Sequence, residues 1–511
     1  MTLNSVSTKT WRVLARQSRT IFTLASISTL AFVTLLYLSQ DGTDAFLPES
    51  WDYELPQQWD WKKLAKEWRA STVSDVPMED DPFEIEESAH VWDNTCHEAV
   101  DKELKVAVYD WTPFHEEVVG SILASLNDTG VQTDMYRRAL RYSFTDILET
   151  FYPTRDPKSF RYQHELMPKL REGDYDALIM TSCDERWIQP ELLEILPTLT
   201  NMSVICLHHE MWSFNAHRSR LLNVAKADKL TFLTLGAHVK VLVKEENTGP
   251  WTADGEDGAL QWTNVPTEVF VPIFPLPESI VLPSRATKRI TPNDVAVLGD
   301  VDDWGRRDYP KLWANLMQAI QEDPGAWGYT ISPENGHFIP SLEATDVQPF
   351  RVHLFGARKE GTVIPEELLE HVLVFYSGLD YIDYYRELSK LDLVLPILGS
   401  DEYTRNRATA AFPAGVISRV PALVKPSQLK AYSYLEPPAI VLHPEGTHEV
   451  EVLAAMRRGQ DPWTSVNAPE SNPVLSPMSR YSHSGLLDEH LRRRPDSHHG
   501  REDWDSYVAD V

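Results

Sequence analysis

The chain has 511 residues, enough for two domains and flanking segments rather than one core. Hydrophobic residues make up 42% and charged residues 24%, a globular balance that excludes wholesale disorder. Its 48 basic and 76 acidic residues give a formal charge of −28, which excludes the basic footprint that nucleic acid requires. Three cysteines exclude a disulfide-rich scaffold and leave room for one bridge among Cys96, Cys183 and Cys206, with no pair singled out.

Residues 1–20 read as a cytosolic tail. Ile21 to Leu38 is an uncharged run of 18 residues, about 27 Å as a helix, enough for a thin bilayer. Lys9, Arg12, Arg16 and Arg19 precede it, and Asp41, Asp44, Glu49 and Asp52 follow. This asymmetry predicts a signal anchor at 21–38 with the remainder across the membrane. A cleaved signal peptide is the competing reading, but Ser39-Gln40-Asp41 is a poor cleavage site. The short span favours the endoplasmic reticulum or Golgi over a thicker membrane. Asn127-Asp-Thr and Asn201-Met-Ser are glycosylation sequons on that far side.

Residues 39–103 read as a stem, with the acidic run Glu79, Asp80, Asp81, Glu84, Glu86 and Glu87 as a solvated linker. From Lys105 short apolar runs alternate with amphipathic segments. Lys105–Tyr109, Asp176–Met180, Ser203–Leu207 and Leu230–Leu235 are predicted strands, and Pro113–Leu126 and stretches near 161–172, 186–196, 216–227 and 236–244 are predicted helices. The turn-rich stretch 246–266 and the proline-studded Pro272–Pro292 read as a linker. The pattern then restarts. Asp294–Leu298, Arg351–Phe355, Val372–Phe375, Leu391–Pro396, Ala422–Val424 and Ile440–Leu442 are predicted strands. Tyr309–Gln321, 380–390, 403–413 and His448–Arg458 are predicted helices. Continuous apolar strands separated by helices imply two doubly wound, Rossmann-like α/β domains, at 104–275 and 290–458. Residues 459–511 form a polar tail expected to be disordered.

Several segments in this order resemble the lumenal nucleotide-sugar glycosyltransferases of the two-domain GT-B architecture, most closely the group 1 glycosyl transferases of family 4. They are VAVLGDVDDWGRR (295–307), VHLFG (352–356), ATAAFPAGVISRVPALV (408–424), ICLHHEMWSF (205–214) and TFLTLGAHVKVLV (231–243). The resemblance implies transfer of a hexosyl or pentosyl group to a glycan, protein or lipid acceptor. It implies a nucleotide-sugar cosubstrate, no permanently bound cofactor, and acceptor and donor sides formed by the first and second domains. It predicts Gly299, Arg306, Arg307, Arg405, Asn406, Arg407 and Thr409 as donor-binding residues, because arginine forks and hydroxyls suit a diphosphate. His115, Glu116 and His209 are predicted at the catalytic, acceptor-facing side.

One departure stands out. The two glutamates that the family carries eight positions apart fall here on Asn406 and Ala414. That motivates a competing class, a catalytically inactive lumenal scaffold or partner protein. Asp300-Val301-Asp302 also matches the Asp-x-Asp pattern of metal-dependent transferases, so the sequence leaves divalent metal use open.

Overall fold

The computed structural model describes residues 104–460 and 462, apart from 113, 138–140, 152–159, 162, 184–187, 210–216, 277–279, 281–290, 303, 342–346 and 437–438. The anchor at 21–38, the stem, Glu210 and the tail from 463 lie outside the described residues. Among the described residues no helix is long and apolar enough to cross a membrane.

Two parallel sheets organise the molecule. The first runs β1 (Lys105–Asp110), β2 (Gln132–Arg137), β3 (Phe160–Arg161), β4 (Ala177–Met180), β5 (Ser203–His208), β6 (Leu230–Thr234) and β7 (Thr267–Val269), in the spatial order β3-β2-β1-β4-β5-β6-β7. The second contains β8 (Asp294–Leu298), then, after a small antiparallel hairpin of β9 (Tyr329–Ile331) and β10 (Phe338–Pro340), β11 (Arg351–Phe355), β12 (Leu373–Tyr376), β13 (Leu393–Val394), β14 (Ala422–Val424) and β15 (Ile440–Leu442). Its order is β12-β11-β8-β13-β14-β15. Both sheets therefore step outward from their first strand in one direction, then restart on its other side. That reversal leaves a crevice at the carboxyl ends of β1 and β4, and of β8 and β13, where open α/β sheets bind ligands.

The strands form because both faces are covered. In β1, Ala107 and Tyr109 pack into one apolar layer while Val106 and Val108 pack into the other. In β8, Val295 and Val297 face one layer and Ala296 and Leu298 the opposite one. The helix Tyr309–Glu322 starts at Asp308, whose side chain accepts from the Lys311 amide, with Pro310 in its first turn. The layer containing Val106 also takes in Tyr385 and Ile417 from the second half, so the apolar core continues between the halves.

The polar stretch 246–266 is not a free linker. It holds the helix Gly249–Asp254 and the buried Trp251 and Trp262, whose rings meet edge to face at 4.9 Å. It then delivers β7, which pairs with β6. Its polar surface hides two tryptophan anchors. The predicted helix at 403–413 is two helices, Glu402–Arg405 and Ala411–Ile417, with residues 406–410 between them.

Candidate functional site

The carboxyl ends of the two sheets face a shared cleft with two adjoining cavities, of about 560 Å³ and about 410 Å³. Glu117, Asp300 and Ala410 line both. The larger cavity brings together His115, Ser182 and His209 from the first half with Arg306, Arg407 and Thr409 from the second. The smaller one lies over the ends of β8, β11 and β12, walled by Tyr381, Tyr384 and Tyr385.

On the first wall a buried polar chain positions the histidines. Asp110, 1% exposed at the end of β1, accepts from the hydroxyls of Thr112 at 2.8 Å and Thr181 at 2.6 Å, and Arg137 lies 3.6 Å away. Burial raises the carboxyl pKa of Asp110, against the pull of Arg137 and of those hydroxyls. The carbonyl of Thr181 lies 2.7 Å from Nε2 of His209. A carbonyl only accepts, so Nε2 carries the hydrogen and Nδ1 presents a bare lone pair. Nδ1 is buried with no hydrogen-bond partner among the described residues. Burial, and next the charge of His115, push the His209 pKa well down, so the ring is neutral.

His115 stacks on His209 with ring centroids 4.2 Å apart. It occupies the left-handed backbone region at φ 71°, uncommon for a residue other than glycine, and its carbonyl starts the helix Glu116–Thr129. Its Nδ1 lies 3.6 Å from Glu117. Burial pushes the Glu117 carboxyl upward, but the neighbouring His115 prevails and holds it below the usual range, as a carboxylate. Glu116, by contrast, turns away from both cavities. It is 1% exposed, bonded by Arg141 at 3.0 Å and by the Tyr381 hydroxyl at 3.2 Å. Two adjacent glutamates cannot be told apart until the phase of the helix is known, and here Glu117 rather than the expected Glu116 lines the cavities.

The second wall separates Arg306 from Arg307 in the same way. Arg307 is buried and occupied. Its Nε donates to the Leu298 carbonyl at 3.2 Å, Nη1 to the Arg306 carbonyl at 3.2 Å and Nη2 to the Thr409 hydroxyl at 3.1 Å. It borders the smaller cavity but acts as a brace for the loops. Arg306 is exposed, with its guanidinium 5.2 Å from the Trp304 ring centroid, and lines the larger cavity. Arg407 pairs with Glu402 at 2.9 Å, lies 5.6 Å from the Tyr403 ring and lines the same cavity. Arg405 points elsewhere, pairing with Glu246 at 3.5 Å, and Asn406 borders neither cavity. Ala414 lies on the wall of the smaller cavity.

Gly299, at φ 117°, turns the chain out of β8. The backbone of Gly356 lies against it so closely that a Cβ on Gly356 would come within 2.3 Å of the Gly299 carbonyl oxygen. This explains the glycine that ends VHLFG. Asp300 bonds the Ala357 amide at 3.0 Å and the Lys359 ammonium at 2.9 Å. Asp302 is 1% exposed and accepts from the Trp304 amide. The two carboxylates thus do not open together toward one ion. The only cluster of metal-ligating side chains among the described residues is Cys183, Cys206 and His208, and those two cysteines are disulfide-bonded, with Cα atoms 5.6 Å apart. That bridge ties the segment after β4, next to Thr181 and Ser182, to β5. Asn127 and Asn201 are both exposed, in a helix's last turn and in the turn before β5.

No family model and no curated protein matches the sequence. Solved structures do. A glycosyltransferase from Rickettsia africae ESF-5 is similar over 80% of this chain and 99% of its own, with 10% identity and a TM-score of 0.41. HepE of Anabaena, crystallised with UDP-glucose, is similar over 80% of this chain and 100% of its own, with 11% identity and a TM-score of 0.39. A UDP-N-acetylglucosamine 2-epimerase from Rickettsia bellii covers the same shares as the first, with 13% identity and a TM-score of 0.34. At these values the likenesses assign no residue and no reaction, so the chemistry of the cleft carries the functional reading.

Proposed function

We propose that the protein is a glycosyltransferase that moves a sugar from a nucleotide-sugar donor to a hydroxyl of a glycan, protein or lipid acceptor. The observation that carries this reading is the chemical division of the cleft. One wall offers two arginines, Arg306 and Arg407, and the opposite wall offers a neutral histidine with its Nδ1 lone pair free. Cations facing a cavity suit the diphosphate that accumulates charge as the anomeric C–O bond breaks. A neutral imidazole in the wall of the same cavity suits the acceptor hydroxyl, whose oxygen bonds to the anomeric carbon as its proton passes to His209 or to the departing phosphate. The aromatic smaller cavity, where the rings of Phe355 and Tyr376 stack at 4.6 Å, suits a planar base. No step in this scheme is assigned to a metal.

The setting belongs to the proposal as well. A buried disulfide is suited to an oxidising compartment. Together with the apolar run 21–38 and its basic flank, it supports a single-pass type II protein of the Golgi or endoplasmic reticulum membrane, with the sheets on the lumenal side. Asn127 and Asn201 are then open to glycan attachment.

A panel of UDP- and GDP-sugars with acceptors, with and without EDTA, tests the reading through nucleotide release. His209→Ala is expected to lower turnover by about 10²–10⁴-fold while donor binding persists. An EDTA-sensitive activity lost in Asp300→Ala would replace this scheme with a metal-dependent one. The second reading, a non-catalytic scaffold, is favoured by one observation: Asn406 and Ala414 leave no carboxylate at the positions of the family glutamates. Donor binding without turnover, from a folded chain, would establish it.

A further inference from the structure

One histidine outside the cleft ties the two sheets together. His238 is the second residue of the helix Ala237–Val243, which follows β6. Its ring reaches across to the second half of the molecule. Nδ1 lies 2.9 Å from the carbonyl oxygen of Ala431, and Nε2 lies 2.9 Å from the carbonyl oxygen of Arg407. Tyr432 meets the ring edge-on, with centroids 5.0 Å apart. Gly236 makes the space, since a Cβ there would stand 2.6 Å from the ring's Cε1.

Carbonyl oxygens accept and never donate. A neutral imidazole has one N–H, so it satisfies one of these carbonyls and turns a lone pair toward the other. Only the imidazolium donates to both. We propose that His238 is a proton-operated latch: in its doubly protonated form it fastens the first sheet to the segment that borders the cleft. The gripped carbonyl belongs to Arg407, whose side chain lines the larger cavity. Two residues on, Thr409 is held by Arg307 and by the Tyr432 hydroxyl, which accepts from the Thr409 amide at 3.0 Å. Release of the latch therefore frees the Arg407 carbonyl at the edge of the site, while Thr409 keeps its own anchors.

The charged groups around the ring come from each element packed on it. The helix Glu402–Arg405 brings Glu402, paired with Arg407, and Arg405, paired with Glu246. Lys430 is the chain neighbour of Ala431. Lys240, on the same helix as His238, pairs with Glu268 of β7. Tyr432 stays neutral, because burial pushes its hydroxyl up. The amino end of its own helix opposes a cation at His238, so the two carbonyls supply what holds the proton. Closing takes up a proton, so the latch tightens as pH falls and loosens as pH rises. This holds whether or not the cleft transfers sugar.

The test uses the full chain in detergent, with ¹⁵N-labelled histidine. The His238 ring nitrogens are followed by long-range ¹H–¹⁵N correlation and assigned by their loss in His238→Gln. Amide exchange of 405–411, corrected for intrinsic rates, is followed in parallel. The latch predicts two imidazolium-type nitrogens wherever 405–411 is protected, and a joint loss of both on raising the pH. In His238→Gln, protection is expected to fall about tenfold and to lose its pH dependence. A neutral ring in the protected state would overturn the proposal, and so would an unchanged pH profile in a folded variant. If the variant does not fold, site-selective labelling assigns the ring and the wild-type titration decides.

Discussion

The two sheets share one order over six strands, the first adding β7 at its edge, and differ in what they place at its reversal. In the first, the crossover carries a buried acid, Asp110, and a stacked pair of histidines held in fixed orientation. In the second, it carries Gly299, a buried bracing arginine and two arginines lining the cavity. Topology thus selects where a ligand would sit, while a few side chains at the strand ends make the two walls chemically different. The first wall is built for orientation and the second for charge.

That contrast is sharpest between neighbours. Replacing Arg306 and Arg407 together by alanine should weaken nucleoside diphosphate binding by roughly 10²–10⁴-fold, since hydrogen bonds to charged groups contribute about 1.5–3 kcal/mol each. Isothermal titration with UDP and GDP measures it, and the melting temperature should barely move. Arg307→Ala should do the reverse first: unfolding by urea should show a loss of about 3 kcal/mol, because three hydrogen bonds, two of them buried, go with it. If Arg306→Ala destabilises the fold as much as Arg307→Ala, the division between brace and ligand-facing arginine fails.

Gly356→Ala probes the backbone contact beneath the second wall. It should cost about 1–3 kcal/mol by pushing on the Gly299 carbonyl, and should weaken donor binding in step. A last test concerns pH. His443 is fully buried, and burial, then Lys425, pushes it down to about 3. His208 and His209 are likewise pushed well down by burial first. Their folded values lie below the unfolded value of about 6.5, so their contribution to stability is present above that pH and is lost as pH falls below it. Each steepens the loss by about 1.4 kcal/mol per pH unit, for His443 between roughly pH 6.5 and its folded value. Urea melts between pH 7.5 and 5 measure the slope, and His443→Leu should flatten it by one proton.

Strands buried on both faces were legible as continuous apolar runs: Asp294–Leu298, Arg351–Phe355, Ala422–Val424 and Ile440–Leu442 match the expected limits. β2 was not, because its sequence QTDMYR mixes polar residues that the cleft network recruits, Arg137 among them. β7, three residues at the end of a polar stretch, gave no periodicity at all. At the site, the sequence pointed to loops that the structure brings to one cleft, without fixing which neighbour in each loop faces it. His115, His209, Arg306 and Arg407 meet at the larger cavity, but Glu117 takes the place expected of Glu116, and Arg307 is a brace. A one-residue phase decides each case, and phase is set by packing. The cysteine pair was open in the sequence, although Cys183 and Cys206 fall beside neighbouring predicted strands, a signal that points to their bridge.

The cleft is proposed to be a donor site with two chemically distinct walls. Titrating nucleotide sugars into the full chain, wild type and Arg306→Ala/Arg407→Ala, tests it most directly. Saturable binding of one donor class is expected, lost in the double variant and retained in His209→Ala. Equal binding by wild type and the arginine variant, or no binding by a folded wild-type chain, would contradict it.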